Sequence, residues 1–211
     1  MIQIYKHQHS SRHDGPGKRT VIWFSGCSLG CVGCINKQLW PSTSGQARAF
    51  SDVRGWLDEG RRRGDHGVTL LGGEPTEQPE ALAEICSYVT QTWKALNSVP
   101  RLILYSGYTL EELVARKDGH ILKALRLADV LVDGRFVIGE REDNLGYRGS
   151  RNQRVIDLVV WRERQEIRLL DHDWDTARII VLPGGKGIMT PAMARRLGIH
   201  AQAERHCGGA A

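Results

Sequence analysis

Short apolar runs alternate along this chain with stretches whose apolar positions recur every three or four residues. That is the pattern of strands followed by helices in a parallel α/β sheet. Val21-Ile22-Trp23-Phe24 predicts a buried strand that runs directly into a cysteine loop. Ser51 is placed to cap a helix passing through Val53, Trp56 and Leu57 to Arg61-Arg62-Arg63. Val68 to Leu71 forms a second strand, ending in Gly72-Gly73-Glu74-Pro75. Leu82, Ile85, Cys86, Val89, Trp93 and Leu96 share one face of a helix. Cys86 on that stripe reads as a small buried hydrophobe. Leu102 to Tyr105 is a third strand turning at Ser106-Gly107, and Thr109 with Glu112 makes a capping box for the next helix. A further helix buries Ile121, Leu122, Leu125 and Ala128, and the strand Val130-Leu131-Val132 closes on Asp133-Gly134.

Beyond Gly139 the pattern loosens. A polar loop over 144–154 leads to strand-like runs over 155–160 and 178–182. Gly184 to Gly187 reads as a β-turn, and Thr190-Pro191 with Gly198 brackets a short helix. The tail from Ala201, with Cys207, reads as frayed.

With 211 residues, 41% hydrophobic and 25% charged, the chain suits one soluble domain with an appendage. No run approaches the roughly 18–20 apolar residues of a membrane span. The segment from Met1 to Arg19 is polar and His-rich, without the apolar core of a signal peptide, so a cytoplasmic location and no membrane partner are expected. His7, His9 and His13 in that segment are expected to be solvated. A formal charge of +5 mildly favours acidic partners. The basic stripe with interleaved aromatics that marks a nucleic-acid binder is missing, so no nucleic acid is expected. Arg61-Arg62-Arg63 reads as a solvated helix C-terminus.

The strongest chemical signal is the spacing Cys27-x-x-x-Cys31-x-x-Cys34. Thiolates are preferred ligands of zinc and of iron–sulfur clusters. A structural zinc site wants four ligands, and no second Cys or His pair with matching spacing accompanies these three. Three thiolates suit a 4Fe-4S cluster with one iron left open to a ligand. Gly26, Gly30 and Gly33 let backbone amides approach such a group. Polar and glycine signals recur at the ends of the other strands, the edge where α/β sheets collect ligands. Gly72-Gly73-Glu74 offers backbone and one carboxylate to a cationic amine, and Ser106 and Asp133 suit the hydroxyls of a ribose-sized ligand. No acid–base dyad or Ser/His/Asp set is present to suggest polar catalysis.

Gly15-Pro16-Gly17-Lys18-Arg19, Ser25-Gly26-Cys27 through Cys34, and Ile35-Asn36 through Trp40 resemble the radical S-adenosylmethionine (SAM) enzymes. The blocks Gly72 to Pro75, Ser106 to Leu113, Val130 to Phe136 and Tyr147 to Gln153 resemble the branch that activates anaerobic (class III) ribonucleotide reductase. The resemblance implies an α/β fold of the partial (β/α) barrel type, a single domain with a core over 1–160 and a C-terminal extension over 161–211. It implies Cys27, Cys31 and Cys34 as cluster ligands and Gly72, Gly73 and Glu74 at the methionyl amine of SAM. Gly33 and Ile35 match positions lining the adenine, where Ile35 replaces the aromatic or His usual in these activases. Ser106 and Asp133 are implied as ribose or methionine contacts. The implied function is reductive cleavage of SAM to a 5′-deoxyadenosyl radical that installs a glycyl radical on a partner reductase, with a flavodoxin- or ferredoxin-like electron donor. A radical SAM enzyme acting on a small metabolite or peptide, and a non-enzymatic metal-binding module, are the competing readings.

Overall fold

The computed structural model describes residues 1–96, 99–142, 145–170, 179–182 and 185–188. One seven-stranded mixed sheet organises them, in the order β3-β1-β2-β4-β5-β6-β7. Its strands are β1 (Ile2–Ser11), β2 (Arg19–Phe24), β3 (Gln46–Arg48), β4 (Gly67–Gly72), β5 (Leu102–Ser106), β6 (Val130–Asp133) and β7 (Arg154–Asp157). The central four, β2, β4, β5 and β6, are parallel and neighbour one another in chain order. β1 and β7 flank them antiparallel, so the sheet stays open at β3 and β7.

Sequential parallel strands joined by right-handed crossovers put every connecting helix on the same face. The helices are α1 (Phe50–Arg62), α2 (Pro79–Thr92), α3 (Leu110–Ala115), α4 (Gly119–Leu127) and α5 (Leu158–Arg164). Ile22, Phe24, Leu70 and Leu104 of the sheet join Leu57, Leu82, Ile85 and Leu125 of the helices in one core. Their strand neighbours point the other way. Val21 and Trp23 pack with Leu39, while Ile103, Val130, Val132 and Val155 pack with Tyr105 and Tyr147. The helix-free face is therefore lined by loops, and there the site is built.

Several expectations change. The polar N-terminal segment is strand β1, which pairs with β2 and carries register shifts after Ile4 and after Gln8. His7 is only half-exposed, because its ring stacks on Trp56 of α1 with centroids 4.0 Å apart. The first helix starts at Phe50, and the Asp52 carboxylate accepts from the Ala49 N–H at 3.2 Å, so Ser51 lies inside the helix and is not its cap. The apolar stripe of α2 ends with Trp93, and Leu96 lies beyond it, 45% exposed. Val155 to Val160 is not one strand, because the Asp157 side chain accepts from the N–H groups of Val159 and Val160 and turns the chain into α5. Residue 160 thus falls inside a helix. The chain as far as Leu170 stays with the sheet through the Leu170 N–H to Val155 O bond of 2.8 Å. β8 (Ile179–Leu182) and β9 (Gly185–Ile188) pair antiparallel as a separate two-stranded sheet, so Gly185 to Gly187 is strand rather than turn. Gly184, the helix expected after Thr190, and Cys207 lie outside the described residues. Cys86 is fully buried and the Thr109–Glu112 capping box is formed, as expected. Among the described residues, no helix is long and apolar enough to cross a membrane.

The loop from Ser11 to Lys18 crosses the helix-free face low on the sheet, where a Cβ on Gly15 would lie 2.6 Å from Ile103 Cδ1. Arg19 anchors it. Its fully buried guanidinium donates to Thr69 Oγ1 (2.6 Å), Val68 O (2.6 Å), Pro100 O (2.9 Å) and Pro16 O (3.2 Å). Burial pulls its pKa down to about 10, so it remains charged at neutral pH.

Candidate active site

The cysteine loop leaves β2 at Ser25 and is tied back by its own backbone. The Gly26 N–H donates to Leu39 O (2.8 Å), and the Cys27 N–H to Trp40 O (2.9 Å). Leu39 is fully buried beside Val21 and Trp23, which pins the return of the loop. A tight turn closes with the Cys34 N–H on Cys31 O at 3.1 Å. From outside, Glu77 Oε1 accepts from the Ser28 N–H and hydroxyl at 2.8 and 2.6 Å. Cys27, Cys31 and Cys34 are each part-exposed and line one cavity of about 360 Å³ above the C-terminal ends of β2, β4 and β5.

Burial, reinforced by Glu74 and Glu77, pushes the Cys27 thiol up to about 11. A thiol held there keeps its proton until a metal cation displaces it, so metal loading and deprotonation are linked. Among the described residues, no three His, Cys, Asp or Glu side chains converge on one point as ligands of a single metal ion.

The end of β4 reaches the cysteine loop by backbone alone. The Gly73 N–H donates to Phe24 O and the Glu74 N–H to Gly26 O, both at 2.8 Å. A Cβ on Gly73 would sit 2.2 Å from Gly26 O, so only glycine permits this approach. Glu74 lines the cavity, and its carboxylate already accepts four hydrogen bonds. Thr76 Oγ1 (2.6 Å), the Gly107 N–H (2.7 Å), the Thr76 N–H and Ser106 Oγ (both 3.0 Å) all donate to it. Burial pushes its pKa upward, against these four donors. Glu74 thus locks the ends of β4 and β5 together.

Ser106 lines the same cavity and also accepts from the Tyr108 N–H at 3.1 Å. Asp133 does not reach the cavity. It is fully buried, accepts from the Leu110 N–H at 2.7 Å, and takes Arg154 Nε and Nη2 at 2.9 and 2.5 Å. The sequence places it correctly at a strand end, but its oxygens face α3 and β7 instead of a ligand. A second cavity of about 380 Å³ adjoins the first, and both are lined by Cys34, Tyr105, Phe136 and Arg148. Gly33 and Ile35 border it. Gly33 has φ +77°, and a Cβ there would lie 2.5 Å from Ile138 Cδ1.

The 4Fe-4S single cluster domain family matches residues 13–156. The anaerobic ribonucleoside-triphosphate reductase-activating protein of Escherichia coli K12 is 35% identical over 148 residues, 69% of this chain and 92% of the relative. The protein of the same name from phage T4 is 32% identical over 155 residues, 71% and 91% of the two chains, and that of Vibrio cholerae is 33% identical over 147 residues, 66% and 88%. The chain belongs to this family of reductase-activating proteins.

A 4Fe-4S cluster is the metal group of the family's domain. The matched span takes in the cysteine loop, both cavities and the whole parallel quartet, and leaves out β1 and α5. Residue-by-residue reading of the chemistry missed Tyr105, Phe136, Arg148 and Gln153, which line both cavities. Three of them lie inside blocks that carry the family resemblance. Tyr105, the last apolar residue before Ser106, was legible as a strand-end position. His13 and Asp14 also line the first cavity, and no polar segment ahead of a strand signals that.

Proposed function

We propose that this protein is the activating enzyme of an anaerobic ribonucleotide reductase and that it works by radical SAM chemistry. One observation carries the reading: three cysteines on a single loop line a cavity at the C-terminal edge of the parallel strands, and that cavity continues into a second of similar size. Cys27, Cys31 and Cys34 would each hold one iron, leaving the fourth iron for the methionyl amine and carboxylate of SAM. Such a cluster would supply the one electron that cleaves SAM to methionine and a 5′-deoxyadenosyl radical, which would take a hydrogen atom from a glycine Cα of the reductase.

The chain's own residues do the positioning. The Gly72-Gly73 edge presents backbone to the methionyl amine, and Glu74 holds that edge rigid through its four donors. Ser106 stands beside it. Gly33 and Ile35 border the second cavity, which is the place for the adenine. Trp23, Leu71 and Tyr105 form an apolar floor that keeps water and stray hydrogen donors from the reacting atoms. Asp133 acts at one remove, by holding Arg154 and the first turn of α3. Sequential winding with the α-helices on one face of an open sheet supports, for this chemistry, a fold of the partial (β/α) barrel type. The core extends through Leu170, and the C-terminal extension follows it. A flavodoxin- or ferredoxin-like protein is the proposed electron donor.

Anaerobic reconstitution tests the reading. The protein should take up about four irons and four sulfides per chain. Reduction with SAM should then release 5′-deoxyadenosine, and the partner reductase should acquire a glycyl-radical doublet in its EPR spectrum. Stoichiometric zinc without SAM cleavage would sink the proposal. SAM cleavage without any radical on the reductase would redirect it to a small substrate.

A further inference from the structure

Phe136, Arg148 and Gln153 line both cavities, and all three come from the chain between β6 and β7. The side chain of Gln153 joins the two ends of that segment. Its Oε1 accepts from the Gly149 N–H (2.8 Å) and the Ser150 N–H (3.2 Å), and its Nε2 donates to Gly134 O (2.9 Å). Two N–H donors at one end and a carbonyl at the other fix the orientation of the amide, and a carboxylate of the same length could not donate to Gly134. Both neighbours on the wall depend on this bridge. Arg148 Nη1 donates to the main-chain oxygen of Gln153 at 3.2 Å. Gly149 lies against Phe136, where a Cβ would come 3.0 Å from Phe136 Cδ2. At its other end the loop is tied to β5, because Tyr105 Oη donates to Tyr147 O at 2.8 Å. Asn152 makes a parallel bond to the next carbonyl, Arg135 O, at 2.8 Å, but it is exposed and lies outside both cavity walls.

We propose that Gln153 is a positioning residue for SAM: its carboxamide clips the 145–153 loop to the turn after β6, and so holds Arg148 and Phe136 where the cluster cavity opens into the second one. The inference rests on the radical SAM reading, in which one ligand spans both cavities. Gln153 acts through its backbone partners rather than by reading the ligand. Without the clip, the wall is free to swing away from the sheet, and a ligand lying across the junction loses contacts on both sides. Side chains that hold a binding wall in register contribute to affinity by keeping it preorganised.

SAM binding to the reconstituted full chain tests this apart from turnover. The SAM concentration that half-shifts the EPR spectrum of the reduced cluster is measured for wild type, Gln153→Glu, Gln153→Met and Asn152→Asp. Gln153→Glu keeps acceptors for Gly149 and Ser150 and loses only the donor to Gly134 O, whereas Gln153→Met loses all three bonds without adding charge. The half-shift concentration should rise about fivefold in Gln153→Glu, the scale of one hydrogen bond, and further in Gln153→Met. KM for SAM in 5′-deoxyadenosine release should rise by the same factor, while kcat at saturating SAM stays within about twofold, the mark of lost binding rather than lost chemistry. Asn152→Asp removes an equivalent bond to the same segment and should lower the thermal midpoint similarly, yet leave both SAM values at wild type. Iron content and circular dichroism report on folding, and if Gln153→Glu assembles no cluster, Gln153→Met is judged in its place. Wild-type SAM affinity in the folded Gln153 variants, an equal loss in Asn152→Asp, or failure of both Gln153 variants to hold a cluster overturns the positioning role and leaves the radical SAM reading standing. A wild-type cluster whose spectrum SAM does not alter overturns that reading, and the role of Gln153 with it.

Discussion

The three loop cysteines and Cys86 carry the same thiol and face opposite surroundings. Cys27, Cys31 and Cys34 are part-exposed on a cavity wall, while Cys86 is buried in α2 with its thiol pushed up to about 12 by desolvation. Replacing any loop cysteine with Ala should drop iron and sulfide content to background. Cys86→Ala should leave the cluster intact and cost about 1–2 kcal/mol in a denaturant titration. Gly73→Ala tests the backbone contact beside them. Its new Cβ would push against Gly26 O and break the Glu74 N–H bond to that carbonyl, so reconstituted iron content and SAM cleavage should both fall. His7 carries a pH signature. Burial first, then His9 and Arg48, hold its pKa below the ordinary 6.5, and His9 is lowered too, chiefly by burial. The unfolded chain therefore binds more protons just below pH 6.5, and stability should decline as pH falls through that value. His7→Phe, which keeps a ring on Trp56, should flatten the decline in urea midpoints measured between pH 7.5 and 5.5.

Elements show where pattern reading succeeds and where it fails. α2 and α4 bury apolar stripes at helical spacing, and most of their core residues were readable, although α4 buries Ala124 and leaves Leu122, expected in the core, half-buried. β1 was not readable. Only Ile2 and Ile4 are aliphatic along it, the bulge after Ile4 shifts the alternation, and the face carrying His7 is covered by Trp56 instead of an aliphatic residue. The run Val155 to Val160 misled for another reason. Asp157 caps the next helix with its side chain, and a single capping residue overrides a segment rich in β-branched residues on either side of it. β6 and β7 meet at an ion-pair cluster, where Arg154 bridges buried Asp133 and exposed Glu111. The Arg154 bond holds the Glu111 carboxyl down to about 2. Arg154→Met leaves Asp133 charged, buried and short of its partner, which should destabilise the fold by about 3–5 kcal/mol. The same change should return Glu111 toward an ordinary carboxylate value in a carbon-detected NMR titration.

For the whole molecule, the decisive feature is four parallel strands taken in chain order. That winding sends every helix to one face and leaves the other for loops and ligand. Arg19 ties the open face together by bonding β4, the Pro16 turn and Pro100 from within the interior. Arg19→Met should leave several buried carbonyls without donors and lower the unfolding free energy by about 3 kcal/mol or more, read from urea melts. What the sequence determined by itself was local. Cysteine spacing marked the candidate metal donors, strand-end glycines marked the edge where the cavity lies, and apolar runs and periodicity named many of the buried core positions. The tertiary structure decided which polar groups remain free for a ligand. Glu74 and Asp133 both stand at strand ends, yet partners far away in the chain, Ser106 and Gly107 for one and Leu110 and Arg154 for the other, occupy their oxygens. Tyr105, Phe136 and Arg148 likewise became cavity walls only when β5 and the two segments around β6 and β7 were brought together. Hydrogen-bond saturation and burial depend on contacts between residues distant in sequence, and no local pattern contains them.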